Sequence, residues 1–105
     1  MISRDFKFKS NAARNYIGLS DVMDIFESSI FGGRNKVERA KMLARVQYGS
    51  LPVIEDDIDF TKKIFRSRSK YIVTKFLDDN KVEPGDFLTI VKVAAYSYKI
   101  IPAKK

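Results

Sequence analysis

Phe6 and Phe8 alternate with Lys7 and Lys9, a period of two that predicts a short, half-buried strand near the start of the chain. The stretch NAARNYIG (residues 11–18) has no period and reads as irregular chain. A helical pattern follows. Leu19, Val22, Met23, Phe26 and Ile30 recur at three- and four-residue spacing, Ser20 is placed to cap the first turn, and Asp21 and Asp24 bring negative charge to that end. Gly32-Gly33 stops this first helix.

A second helix is expected from Asn35, where Glu38 would complete a capping box, to about Tyr48, with Gly49 just past its end. Val37, Ala40, Ala44 and Tyr48 form its apolar stripe. Arg34, Lys36, Arg39, Lys41 and Arg45 spread around the cylinder, as on a solvated surface. SLPVIEDDID (residues 50–59) then interrupts the pattern: Pro52 ends what precedes it, and Glu55, Asp56, Asp57 and Asp59 form the acidic cluster of the chain. Those carboxylates suggest either a metal site or a cap by Asp57 or Asp59 on the next helix. The cap is preferred, because no histidine or distant carboxylate pair completes a ligand set.

From Phe60 onward, Phe60, Ile64 and Tyr71 share a helical stripe, with Phe65, Ile72 and Phe76 beside it. One continuous helix from Asp59 to Asp79 would set Arg68 in that apolar face, so a break is expected at Ser67–Ser69, with Ser69 capping a new helix that reaches Asp79. KYIVTKFL (residues 70–77) also suits a strand, since Tyr, Ile, Val, Thr and Phe favour sheets. A helix is preferred, because Asn80 can take the left-handed conformation after it and Val82 can fold back on its last turn. Pro84-Gly85 fits a type II turn. Phe87 to Val93 then forms a strand, and Tyr96 to Ile101 returns across Ala94-Ala95 as a hairpin. The sum is a single α+β domain over residues 1–105: a short N-terminal strand, three or four helices and a C-terminal β-hairpin, in an order compatible with a winged helix.

Composition narrows the chemistry. The 105 residues are 45% apolar and 31% charged, as in an ordinary globular domain, with a formal net charge of +7. Histidine and cysteine are both absent, which excludes Ser-His and Cys-His nucleophiles, disulfides and thiolate metal sites. No catalysis and no cofactor are therefore expected. Asp79-Asn80-Lys81 has the acid-x-Lys spacing of metal-dependent nucleases, but it falls at a helix exit with no upstream acidic partner. Apolar runs are too short for a membrane span, and the N-terminus lacks the apolar stretch of a secretory signal, so a cytoplasmic protein is expected.

KKIFRSRSKYIVTKF (residues 62–76) carries six cations and no acid. A solvated face is usually mixed in sign, so this segment points to a polyanion, with duplex DNA the favoured partner. In a winged helix the DNA contacts would come from Lys62, Lys63, Arg66, Ser67, Arg68, Ser69, Lys70, Thr74 and Lys75 on the recognition segment. Lys92, Tyr96 and Lys99 would add contacts from the hairpin. Stacking of single-stranded bases on Tyr71, Tyr96 or Tyr98 is the less favoured mode. Such a protein would act as a regulator or accessory factor in transcription, replication or DNA transfer. Alternatives with the same composition are a viral or plasmid-encoded inhibitor docking its basic face on an acidic protein, and a virion- or ribosome-associated structural protein. A homodimer would use the first helix or an edge strand.

Overall fold

The computed structural model describes residues 2–9, 16–33, 40–66 and 70–103. In chain order the strands are β1 (Ile2–Lys7), β2 (Phe31–Gly32), β3 (Ala44–Tyr48), β4 (Ile54–Asp56), β5 (Ile58–Asp59) and β6 (Ile64–Phe65). Helix α1 (Lys70–Asp79) comes next, then β7 (Phe87–Ala94) and β8 (Ser97–Pro102). A five-stranded sheet has the order β1-β7-β8-β3-β4, and a small second sheet has the order β2-β5-β6. All neighbours in the large sheet are antiparallel except β3 and β8, which run parallel.

This fold is mostly β and overturns the winged-helix, helix-turn-helix expectation: among the described residues there is one α-helix where three or four were expected. The first expected helix is instead two 3-10 turns, Met23–Ile25 and Ser28–Ile30, separated by extended backbone at Phe26 and Glu27. Glu27 is drawn out of any helix by its bonds to the β7–β8 hairpin, described below. Of the expected stripe, Leu19, Val22, Phe26 and Ile30 are still buried and Met23 is half-buried, but along an irregular path in which Ile25 is buried as well.

The second expected helix would have ended on Ala44–Tyr48, which is strand β3. There burial alternates: Ala44, Val46 and Tyr48 point in, while Arg45 and Gln47 point out. Ladders to β8 and β4 satisfy its backbone, which outweighs a weak helical stripe. The capping box at Asn35 and Glu38 lies outside the described residues, as does the break expected at Ser67–Ser69. Residues 59–66 are not helical either. The Asp59 carboxylate accepts the Thr61 and Lys62 N–H groups at 3.0 and 3.1 Å, holding a turn between β5 and β6. It caps that turn and not a helix.

The N-terminal strand, the helix ending at Asp79 and the C-terminal hairpin are present. The end of α1 is a Schellman motif: Val82 N–H bonds the Leu77 carbonyl and Lys81 N–H bonds the Asp78 carbonyl. The left-handed residue is Lys81, φ 51°, and not Asn80, whose side chain instead donates to the Phe76 carbonyl at 2.8 Å. Gly85 has φ 97° in the Pro84-Gly85 turn, closed by the Asp86 N–H on the Glu83 carbonyl. In the β7–β8 hairpin the tip is Ala95-Tyr96, one residue later than expected, with Tyr96 at φ 58° and a register shift between Lys92 and Ala94.

The core lies on one side of the large sheet. Phe6, Leu88, Ile90, Tyr98, Ile100, Val46 and Tyr48 face it, and Ile30, Ile58, Phe65, Val73, Phe76 and Leu77 close it from the small sheet and α1. Phe76 meets the Tyr48 ring at 5.9 Å and lies against Gly49, where φ is 60° and an added Cβ would stand 3.2 Å from Phe76 Cδ1. No helix among the described residues is long and apolar enough to cross a membrane.

Candidate nucleic-acid interface

The cations of the basic segment take several different environments. Lys62 is exposed on the β5–β6 turn, and Lys63, in a left-handed conformation, holds its Nζ 5.8 Å from the exposed Phe60 ring. Arg66 turns inward: its Nε lies 3.0 Å from Asp57 Oδ2, with side-chain exposures of 7% and 0% for the pair. Its guanidinium also donates to the Gly33 carbonyl, and its amide to the Asp57 carbonyl. Arg66 thereby fastens the end of the small sheet to the chain after β4. Ser67, Arg68 and Ser69 lie outside the described residues. Lys70 opens α1, Thr74 is half-buried on it, and Lys75 pairs with Asp79 one turn on at 3.0 Å.

The hairpin residues divide in the same way. Lys92 reaches Glu27 at 3.2 Å and also donates to the Ile25 carbonyl. The Tyr96 hydroxyl shares a hydrogen bond of 2.8 Å with Ser29, and its amide donates to Glu27 at 2.8 Å. The Tyr98 hydroxyl donates to the other oxygen of Glu27. Burial alone would push the Glu27 carboxyl up. The Tyr98 hydroxyl, the Tyr96 amide and Lys92 overcome this and hold it at about 2. Burial, reinforced by the Glu27 charge, raises the Tyr98 phenol. Glu27 is thus the pin that ties the 3-10 turns to the hairpin, and Lys92 and Tyr96 serve it. Only Lys99 of the hairpin set lies on the outer face of the sheet.

The acidic cluster also faces inward. Asp56, Asp57 and Asp59 are 0%, 0% and 4% exposed. Asp56 accepts the Asp57 amide, Asp57 accepts the Ala40 amide and Arg66, and Asp59 holds its turn. Among the described residues no three carboxylates converge as a metal-ligand set.

The period of two along each strand gives the large sheet a second, outer face. It carries Lys7 and Asp5 on β1, Phe87, Thr89 and Val91 on β7, Lys99 and Ile101 on β8, Arg45 and Gln47 on β3, and Glu55 on β4. Among the described residues these side chains are half-exposed or exposed. Thr89 donates to Asp5 at 2.6 Å, and Lys7 Nζ sits 5.8 Å from the Phe87 ring. At the β3–β8 seam the face dips into a depression of about 270 Å³, lined by Arg45, Gln47, Val53, Val93, Ser97 and Lys99. The Arg45 Nε donates to Ser97 Oγ at 3.2 Å, and Gln47 donates to the Leu51 carbonyl at 3.1 Å. A second hollow, about 480 Å³, lies beside the end of α1 and is lined by residues of both signs, including Asp5, Asp86 and Lys81.

Lys99 belongs to the contact set expected from the sequence, whereas Arg45 was assigned to a solvated helix surface. The signal that would have found it is the alternation in Ala-Arg-Val-Gln-Tyr, where Arg45 and Gln47 interleave with buried Ala44, Val46 and Tyr48. Comparison with protein-family models, with curated proteins and with solved structures finds no match to this chain.

Proposed function

We propose that the protein is a non-catalytic nucleic-acid-binding domain, with duplex DNA its preferred target, that meets the phosphate backbone with the outer face of its five-stranded sheet. The observation that carries this reading is the partition of charge. Among the described residues, three carboxylates of the acidic cluster are withdrawn into the interior with a single guanidinium. The accessible part of this region is therefore more cationic than its residue count implies. A polyphosphate is the natural complement, because each phosphate neutralised releases condensed counterions. Strands as well as helices can enter a DNA groove. Duplex is preferred to single strand because none of the three tyrosines considered for stacking lies on this face: Tyr98 is buried, Tyr96 is tied to Ser29 at the hairpin tip, and Tyr71, though exposed, sits on α1 on the core side of the sheet. Such a domain would act as a regulator or accessory factor in transcription, replication or DNA transfer.

The test is fluorescence anisotropy with a short labelled duplex, a scrambled duplex and the matching single strand across a salt series. The expected result is tighter binding to duplex, with a log–log salt slope of roughly −3 to −5 for three to five neutralised phosphates. Absence of binding to all three probes at low salt refutes the proposal.

A further inference from the structure

We propose that the depression at the β3–β8 seam seats one backbone phosphate of the bound nucleic acid, with Arg45 and Lys99 as its charged contacts. The inference rests on the reading above and gives it an anchor. Because β3 and β8 are parallel, their register sets Arg45 beside Ser97 and Gln47 beside Lys99. Residues two apart on a strand share a face, and neighbours across a ladder lie about 5 Å apart, so the four side chains form one polar cluster.

Three features distinguish this cluster from an ordinary patch of surface charge. The first is the orientation of Arg45. Its partner in the register with β4 is Glu55, a carboxylate placed to capture an exposed guanidinium. The guanidinium instead donates to Ser97 Oγ on β8, the strand that carries Lys99. Arg45 and Lys99 thus stand diagonally across the seam, and among the described residues neither is within ion-pair distance of a carboxylate, so both remain available to an anion. The second is shape: the cations lie in a hollow of about 270 Å³ and not on a convex ridge. The third is the wall. Val53 and Val93 are 54% and 46% exposed at the rim, and they offer apolar contact to the sugar on either side of a seated phosphate. The larger hollow beside α1 lacks this character, because Asp5 and Asp86 line it and would repel a phosphate.

The test compares Arg45→Gln, Lys99→Gln and their double variant with Lys81→Gln, which removes the same charge from the other hollow. Each is titrated with the labelled duplex over the salt series, with amide NMR shifts followed for residues 45, 97 and 99. The expected result is a roughly tenfold or greater loss of affinity in the double variant at moderate salt. Its salt slope should be shallower by about 1 to 2, with unchanged thermal unfolding, while Lys81→Gln changes the slope by less than half as much as Lys99→Gln. If the wild type binds duplex and the double variant keeps its slope, the seat is refuted and the nucleic-acid reading stands. If no duplex binds, that reading fails as well. Shifts at residues 45, 97 and 99 with inorganic phosphate or a mononucleotide, but not with duplex, would overturn the backbone occupant in favour of a free anion.

Discussion

Arg66→Ala is the substitution that separates an interior role for the basic segment from a DNA-contact role. The guanidinium lies 3.0 Å from a fully buried carboxylate, and its own side chain is 7% exposed. Removing it takes this guanidinium from the buried Asp57 carboxylate, while the Gly33 carbonyl loses a donor. Breaking a buried pair from one side typically costs about 3–5 kcal/mol, mostly because the surviving charge is uncompensated. Set against a total of about 5–15 kcal/mol for a domain, that is a large fraction of stability. At about 4–8 °C per kcal/mol for a chain of this size, the melting temperature should fall by roughly 15 °C or more. The urea midpoint should fall by about 1.5–2.5 M at a typical m-value. The assay is thermal and urea unfolding by circular dichroism, with duplex affinity measured below the transition. Asp57→Leu combined with Arg66→Met should recover much of the loss, because neither member of the pair is then left buried without the other. A fall of less than about 3 °C in the single variant, accompanied by lost duplex affinity, would refute the reasoning: the arginine would then face solvent and phosphate.

The remaining predictions test other joints of the fold. The Glu27 carboxyl sits at about 2 when folded, below the usual value near 4.5, so its stabilising contribution is complete above about pH 4.5 and is lost as pH falls toward 2. Glu27→Gln should therefore lower stability at pH 7 by about 1–3 kcal/mol and flatten the acid limb of a stability–pH curve; an unchanged limb would exclude Glu27 as the pin. Lys81→Gly should raise stability by about 0.5–1 kcal/mol by relieving the left-handed conformation at the end of α1, read as a higher urea midpoint. Gly49→Ala should lower it by about 1–3 kcal/mol, because the added methyl meets Phe76 Cδ1 at 3.2 Å on a backbone at φ 60°.

Fold and site were legible in unequal measure. The Phe6/Phe8 alternation marks β1, the Asn80-to-Val82 exit marks the end of α1, and Pro84-Gly85 followed by two apolar runs marks the hairpin. For the helix exit and the hairpin the controlling interactions are local, between residues a few positions apart, whereas β1 is legible from its alternation although its ladder partner is the distant β7. The helical spacing of Leu19, Val22, Phe26 and Ile30 misled, because a buried irregular segment can satisfy the same spacing while Glu27 bonds a hairpin about 70 residues away. Ala44–Tyr48 misled for a related reason. Five residues fit either period, and the ladders to β8 and β4 that settle the matter involve residues 97–100 and 54–56. Of the candidate site, Lys99 was legible and Arg45 was not, since its outward position depends on that same parallel pairing.

By itself, then, the sequence determined the excess of positive charge, the exclusion of histidine and cysteine chemistry, and the elements whose signals lie within one or two turns of the chain. The tertiary structure decided where the charge goes. Asp57 is buried because Ala40 and Arg66 converge on it, and Arg45 and Lys99 share a hollow because two distant strands pair in parallel. The physical reason is that counting charges needs only composition, whereas burying or exposing them depends on which remote backbone and side-chain groups arrive to satisfy each one.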